Sequence, residues 1–198
     1  MDIFRTIAYP SEAVFTEKRS KFLAFAFPVK TIEEIKAHIA TISKEYFDAR
    51  HVCYAYMLGH ERNTFRTNDN GEPSGTAGKP ILGQINSFEL TDILIVVVRY
   101  FGGIKLGTSG LIVSYRQAAR EVIEAAEIIE KHATEEIVFT FPYEIMNDVM
   151  KLTRFPGVEI ISSAYDNICT IKLQVELDRK DGIENQLRNI NNVNIINS

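Results

Sequence analysis

An unbroken apolar run, ILIVVV at residues 93–98, constrains this chain more than any other segment. Its side chains do not alternate with polar ones, a pattern typical of a strand buried on both faces. Segments 68–83 and 102–110, one on each side of the run, contain four glycines each. A chain tolerates that density where its backbone turns with positive φ or comes very close to another group. We therefore expect a buried strand with a glycine-rich loop on either side.

Within these two segments, we call residues 69–80 the first glycine loop and residues 102–110 the second glycine loop. Lys79 belongs to the first loop, Lys105 belongs to the second, and Arg99 ends the strand that precedes the second. Positive charge beside exposed backbone N–H groups suits an anionic ligand. The pair of loops therefore predicts an anion site.

Local patterns in the first two thirds of the chain predict both strands and helices. Thr31 and Glu34 form a capping box that starts a helix over residues 31–46, where isoleucines recur at helical spacing. The polar segment 60–78 is predicted to be rich in turns. The other predicted elements are strands at 20–30, 51–59 and 93–99, a short helix at 80–85 and a long helix at 109–131.

The last third has a different order of elements. Strands are predicted at 136–141, 158–165, 168–177 and 193–196, and helices at 143–154 and 179–189. The order strand-helix-strand-strand-helix-strand is the ferredoxin-like pattern. With a boundary at residues 132–135, the sequence predicts two α+β domains, 1–133 and 134–198.

Charge and composition narrow the classes of function. Residues 1–133 contain 16 Lys and Arg against 16 Asp and Glu, and residues 134–198 contain 6 against 10. Within residues 93–120 four basic residues follow Asp92 without any acid, which favours modest anion recognition over dedicated DNA binding. No apolar run reaches membrane-spanning length, and the start of the chain does not resemble a signal peptide. The distant Cys53 and Cys169 suggest buried thiols in a reducing cytoplasm.

The second glycine loop follows a predicted strand and opens a predicted helix. That arrangement aims free N–H groups and the positive end of the helix dipole at one point, which suits phosphate or carboxylate. It is not a Walker A motif, because Thr108 follows Gly107 where that motif has lysine. The alternative is that the glycines only make a tight turn and that Ser109 caps the helix.

The first glycine loop offers two kinds of chemistry. Asp69 and Glu72 could bind a cation or act as acid and base, or they could belong to a structural turn. Ser74, Thr76, Gly78 and Lys79 form a second group of donors without competing acids. If this loop faced the second glycine loop, the two would close around a phosphate.

Other candidates are less specific. His51 and His60 flank Cys53 without the spacing of a zinc site, and no Ser/His/Asp arrangement is recognisable. Aromatic residues that could stack on bases are Tyr54, Tyr56, Tyr100 and Phe101, of which the last two are expected to be the best exposed. We predict no catalytic residue, no metal and no cofactor.

The motifs NDNGEPSGTAGKPIL and VVVRYFGGIKLGTSGL resemble the signature of the IMPACT family, also called the YigZ-like group or uncharacterised protein family 0029. SKFLA and DARHVCYAYMLG match it as well. The resemblance implies a domain like domain 2 of ribosomal protein S5, followed by a ferredoxin-like domain like the last domain of elongation factor G. Eukaryotic members carry an additional N-terminal domain and regulate translation. The length of this chain indicates a bacterial member.

Three positions depart from the family pattern. Asn70 stands where the family usually has a second acid, Ser109 where it has glycine, and Val113 where it has arginine. One basic group near the helix start is therefore missing, and Arg116 lies one turn further on.

Together these observations predict a non-catalytic cytoplasmic protein that contacts RNA, the ribosome or a translation factor. The alternative is an enzyme that acts on a phosphorylated small molecule or nucleotide. An anion is expected between the two glycine loops, with Arg99 orienting it bidentately. The candidate binding residues are Ser74, Thr76, Lys79, Arg99, Gly102, Gly103, Lys105, Gly107, Thr108, Ser109, Gly110 and Arg116, with Arg50, His51, Asp69 and Glu72 as secondary candidates.

Overall fold

The computed structural model describes residues 3–197 and divides into two compact units. One unit is Phe4–Lys131, and the other contains the chain from His132 onward. The division between Lys131 and His132 coincides with the start of the predicted boundary segment, 132–135. Each unit has its own hydrophobic core, and together they form the expected α+β fold class.

The first unit is built on a five-stranded antiparallel sheet. Its elements are β1 (Ile3–Ile7), β2 (Ser11–Glu17), β3 (Ser20–Pro28), α1 (Ile32–Glu45), β4 (His51–Leu58), β5 (Thr64–Asn68), α2 (Gly78–Ser87), β6 (Ile93–Tyr100), α3 (Gly107–Glu124) and β7 (Ile128–His132). The strand order is β2-β3-β6-β4-β5, and β1 pairs separately with β7. The predicted apolar run therefore forms the central strand, β6.

Helices cover both faces of this sheet. On one face α2 and α3 pack through Ile81, Ile85 and Tyr115, and on the other α1 packs through Ile35 and Ile42. The side chains of β6 are accordingly buried on both faces as far as residue 99, as its lack of alternation predicts. α1 begins after Thr31, whose capping box with Glu34 forms as predicted.

The sheet topology brings the two glycine loops to one edge. Both β5 and β6 run antiparallel to β4, so they point in the same direction and end on the same side. The first glycine loop leaves from the end of β5 and leads into α2. The second leaves from the end of β6 and leads into α3. The chain therefore starts both helices from the same edge of the sheet.

The second unit is a four-stranded antiparallel sheet with the order β11-β8-β10-β9. Its elements are β8 (Thr134–Pro142), a single 3-10 turn (Tyr143–Ile145), α4 (Met146–Leu152), β9 (Val158–Ala164), β10 (Ile168–Glu176), α5 (Leu177–Asn189) and β11 (Asn194–Asn197). Alternate residues of β8 and β10 enter the core, where they meet Val149 of α4 and Leu187 of α5. This element and strand order is the ferredoxin-like arrangement that the sequence predicts.

Some element predictions are wrong. Residues 64–68, read as turn-rich, form the edge strand β5, because pairing with β4 provides hydrogen bonds that local composition does not reveal. The predicted helix over residues 109–131 ends at Glu124, and residues 128–132 form β7. Its apolar spacing fits a helix locally, but distant pairing with β1 overrides that preference. β1 and β2 were not predicted, and α2 is longer than expected.

Two further predictions concern the thiols and the membrane. Cys53 and Cys169 are both free and buried, which confirms the expectation of two buried thiols. Within the part of the chain that the structure describes, no helix combines the length and apolarity required to cross a bilayer.

Candidate functional site

Asp69 organises the first glycine loop from within. Its carboxylate accepts hydrogen bonds from the N–H groups of Gly75 at 2.8 Å, Ala77 at 3.1 Å and Gly78 at 2.8 Å. Burial raises the pKa of this carboxyl, but the three N–H donors outweigh burial and hold the pKa below its usual 3.8. The N-terminus of α2 is therefore already occupied by a negative charge of the protein itself.

The predicted donor group at 74–79 is consequently wrong in one respect, since an acid does compete for its N–H groups. The Thr76 hydroxyl is also engaged, because it donates to the Pro73 carbonyl at 2.6 Å and is buried. Gly78 lies so close to β5 that a Cβ there would meet the Asn68 nitrogen at 2.7 Å. Of the predicted donor side chains, only Ser74 and Lys79 are exposed.

Glu72 lies beneath the first glycine loop in a buried ion pair. Its Oε1 accepts from Arg99 Nη1 at 2.7 Å and from the Tyr115 hydroxyl at 2.8 Å. His51 Nε2 stands 3.9 Å from Oε2. Since the Glu72 side chain is only 3% exposed, it holds strand β6 and helix α3 together from inside the unit. As a candidate acid or base, Glu72 is shielded from solvent and already paired.

Arg99 is the cation of this buried ion pair, and it lies next to two aromatic rings. It is 6% exposed, and its Cζ stands over the Phe22 ring at 5.7 Å and over the Phe101 ring at 5.8 Å from their centroids. Its Nε is buried without a hydrogen-bond partner among the described residues. Its Nη1 is already bonded to Glu72, and the whole residue is buried, so Arg99 offers little surface to an external anion. The structure therefore places Arg99 as a support inside the site and not as an exposed ligand group.

Cys53 and His51 complete the buried cluster. The Cys53 thiol donates to the Asp69 carbonyl at 2.9 Å and lies 3.4 Å from the Tyr115 hydroxyl. Burial raises the pKa of the Cys53 thiol to about 12, so the thiol stays protonated and unreactive near neutral pH. His51 Nδ1 donates to the Asn70 carbonyl at 2.9 Å. Both residues thus hold the start of the first glycine loop, whereas Arg50 is exposed beside them.

The second glycine loop is organised differently. The N-cap of α3 is Leu106, no side chain caps it, and no acid stands in the first turn. The alternative that Ser109 caps this helix is therefore wrong, because Ser109 lies inside the first turn. Thr108 and Ser109 are exposed, so the first N–H groups of α3 face a surface with no carboxylate from the helix itself.

Gly102 anchors this loop to the β2–β3 turn. A Cβ at Gly102 would meet the Arg19 carbonyl carbon at 2.0 Å, so only glycine fits against that backbone. The Gly102 N–H also donates to the Ser20 hydroxyl at 3.2 Å. Gly103 and Gly107 turn the chain with positive φ, which agrees with the expected reason for the glycine density.

The basic zone at residues 93–120 is smaller than its sequence suggests. Arg99 is paired with Glu72, and Arg120 is paired with Glu124 at 2.7 Å. Lys105 and Arg116 are the two exposed members of the zone for which the described residues offer no carboxylate partner. Val113, on the same side of α3 as Ser109 and Arg116, is 58% exposed.

The four candidate aromatic residues differ in their exposure to solvent and in their contacts. Tyr54 and Tyr56 belong to the core between the sheet and α1. The Tyr100 hydroxyl donates to Asp48 at 2.7 Å, and that hydrogen bond raises the pKa of Tyr100 to about 12. Of the four, only Phe101 is largely exposed as a residue, at 53%.

The contacts that Tyr115 and Phe22 make with the buried Glu72–Arg99 pair are not evident from the sequence. The spacing of α3 predicts Tyr115 on the inner side, but nothing local indicates that its hydroxyl reaches Glu72, 43 residues away. Phe22 lies in the SKFLA motif, yet its contact with Arg99 depends on the pairing of β3 with β6. Only the sheet register brings these residues together.

A cavity of about 370 Å³ lies elsewhere in the first unit. Its lining residues are Thr6, Pro28, Val29, Lys30, Glu34, His38, Asp92 and Lys131. None of them is a predicted site residue. Among residues 3–196, no group of three or more His, Cys, Asp or Glu side chains is placed to hold a metal ion.

The fold and the site define a two-unit α+β protein with a buried Glu–Arg–Tyr cluster beneath two glycine loops. The model of the Impact N-terminal domain matches residues 18–123, a range that contains the buried cluster and both glycine loops. The chain belongs to the IMPACT family.

Relatives extend this match along the chain. IMPACT family member YvyE of Bacillus subtilis (strain 168) is 37% identical over 126 residues, which is 64% of this chain and 58% of the relative. The match thus spans less than two thirds of that relative. IMPACT family member YigZ of Escherichia coli (strain K12) is 31% identical over 168 residues, 84% of this chain and 82% of the relative. A solved crystal structure, described as that of an hypothetical protein, superimposes with a TM-score of 0.79 at 27% identity and covers 98% of this chain and 97% of its own.

Proposed function

We propose that this protein is a non-catalytic module that contacts single-stranded segments of RNA in the translation apparatus. The contact is made by Phe101, Ile104, Lys105, the N-terminus of α3 and Arg116, which we call the loop–helix surface. The translation setting is supported by family membership, since the family resemblance implies members that regulate translation. The RNA contact is supported by the geometry of this surface.

The observation that carries the proposal is the uncapped start of α3, with the exposed Lys105 just before it and the exposed Arg116 further along the same helix. The first N–H groups of a helix and its dipole favour phosphate, and here no acid of the first turn competes for them. Lys105 precedes this start and Arg116 follows it, so both cations belong to the same loop and helix. A chain of phosphates has the charge that such a surface attracts.

Two further observations support a binding role for the first unit. Asp69 caps α2 and Glu72 pairs with Arg99, so both acids that could act as a base are engaged in structural contacts. The second unit has more acids than bases, 10 against 6 over residues 134–198. This acidic balance disfavours phosphate and supports the first unit as the place of contact.

Fluorescence anisotropy with a labelled ten-nucleotide oligouridylate at low salt tests the proposal. We expect Lys105→Ala combined with Arg116→Ala to weaken binding at least tenfold. Each lost phosphate contact to a single strand lowers the magnitude of the slope of log K against log salt by about 0.7. The matched control is Lys36→Ala with Lys44→Ala, two exposed lysines of α1 on the opposite face of the sheet.

The outcomes separate the two classes of function. No binding at low salt, or equal loss in both double variants, would refute the loop–helix surface as an RNA contact. A thermal-shift screen with nucleotides and sugar phosphates tests the enzyme alternative. A large rise in melting temperature with one such compound, abolished by the Lys105 and Arg116 variant, would favour a small-molecule site instead.

A further inference from the structure

We propose that Phe101 is a base-stacking platform whose ring is held in place by Arg99 and, through Arg99, by Glu72 and Tyr115. This inference rests on the proposed RNA contact and names the group that would recognise bases there. Phe101 contacts the ligand, whereas the three buried residues are positioning residues.

The two sides of the Phe101 ring have different surroundings. On one side the guanidinium of Arg99 stands 5.8 Å from the ring centroid, within the range of a cation–π contact. Phe101 as a residue is nevertheless 53% exposed, so much of its surface remains open to solvent. An aromatic ring that is supported on one side and open on the other can accept a stacked base.

Arg99 is itself fixed, so it can hold the ring in one orientation. Its Nη1 donates to Glu72 Oε1 at 2.7 Å, and its Cζ lies 5.7 Å from the centroid of the Phe22 ring. Glu72 is in turn held by the Tyr115 hydroxyl at 2.8 Å, and Tyr115 is fully buried. Phe101 is therefore held by a chain of contacts through Arg99, Glu72 and Tyr115, and all three of these residues are buried.

The backbone on both sides of Phe101 is also tied down. Tyr100 pairs with Lys21 in the β3–β6 ladder, and Gly102 packs against the turn at Arg19 and Ser20. A residue between two anchored neighbours has little freedom to lose on binding. The entropic cost of using Phe101 as a contact is correspondingly small.

The surroundings of the ring favour a nucleotide over an apolar peptide. No acid occurs between residues 101 and 110, Lys105 is four residues away, and the free N–H groups of α3 follow directly. A nucleotide combines a flat base for the ring with a phosphate for these donors. An apolar peptide would leave both the lysine and the N–H groups without a partner.

The experiment compares two labelled ribose-phosphate strands of ten residues, one an oligouridylate and the other abasic at every position. The strands carry the same phosphate charge, so a difference in Kd reports base contacts alone. We expect the wild-type protein to prefer the oligouridylate about tenfold, as one stacked base provides. We expect Phe101→Ala to remove the preference and keep the affinity for the abasic strand.

Two variants check the assignment. Phe65→Ala removes another exposed ring, on the edge strand β5, and should keep the full preference. Phe101→Tyr keeps an aromatic face and should keep the preference as well, whereas Phe101→Leu keeps apolar bulk and should lose it. A peptide-like apolar site would treat leucine as an adequate replacement.

Each outcome decides a separate question. If the wild-type protein binds both strands equally, or if Phe101→Ala keeps the preference, the stacking platform is refuted and the phosphate contact stands. If neither strand binds at low salt, the proposed function itself is refuted. A preference that Phe101→Leu preserves overturns base stacking in favour of a general apolar contact.

Discussion

The two glycine loops start from the same edge of one sheet and lead into neighbouring helices, yet they use their N–H groups in opposite ways. In the first loop the Asp69 carboxylate accepts three of those hydrogen bonds. In the second, α3 begins at Leu106 with neither a side-chain cap nor an acid in its first turn. A glycine-rich composition therefore does not by itself determine how a loop uses its N–H groups. The position of one acid decides whether a loop closes on itself or stays open for a ligand.

The largest effect is expected at Glu72, which bonds the first glycine loop to Arg99 of β6 and Tyr115 of α3. Glu72→Ala leaves the buried Arg99 guanidinium without its partner, which should cost about 3–5 kcal/mol of unfolding free energy. Hydrogen exchange of the β6 amides measures this within the first unit. The control is Glu124→Ala, which breaks an exposed pair and should cost less than about 1 kcal/mol. Equal losses in the two variants would contradict the assigned role of the buried pair.

Asp69→Ala should make the first glycine loop resemble the second. Loss of this helix cap should destabilise the first unit by about 1–2 kcal/mol at neutral pH. Sulfate should then raise the melting temperature of the variant more than that of the wild type, because freed N–H groups can bind it. Identical sulfate responses would show that the loop cannot open, even without its carboxylate.

The same variant has a defined pH dependence. The folded protein lowers the pKa of Asp69 below 3.8, so its ionised form is favoured by folding. Its contribution to stability is therefore present above pH 3.8 and is lost as the pH falls through the lowered folded value. Melting temperatures of wild type and Asp69→Ala should differ at neutral pH and converge in acid. A constant difference down to pH 2 would contradict the lowered pKa.

Ser109→Asp tests the converse change in the second glycine loop. An acid in the first turn of α3 should stabilise the helix by about 0.3–1 kcal/mol and repel phosphate. We expect oligouridylate affinity to fall about fivefold while the melting temperature stays the same or rises. Ser109→Asn is the uncharged control. If both variants bind alike, the open helix start does not contact phosphate.

Val113→Arg should give the smallest effect, and it should strengthen RNA binding instead of weakening it. Val113 is exposed on α3 between Ser109 and Arg116, where the family pattern has arginine. One added phosphate contact should raise affinity about threefold at low salt and steepen the salt dependence by about 0.7. Val113→Gln controls for side-chain length. An unchanged salt slope would place the RNA backbone away from this face of the helix.

Local patterns in the sequence determined the elements that depend on neighbouring residues. The apolar run at 93–98 could only be a buried strand, and the Thr31–Glu34 box marked the start of α1. The alternation of residues 134–197 likewise indicated the ferredoxin-like order, because each element there is short and bounded by turns. Strands β1, β2, β5 and β7 were not predicted, because the local composition of these segments does not reveal their strand pairing.

The candidate site likewise combines features that are visible in the local sequence with features that only the tertiary structure shows. The sequence by itself identified both glycine loops and most of the polar residues around them, because glycine density and charge are local properties. Only the tertiary structure decided that Arg99 is bound to Glu72, that Asp69 fills the first loop, and that Phe101 is the exposed ring. The physical reason is the strand register, which sets β6 beside β3 and β4 and so determines which charges meet inside the protein.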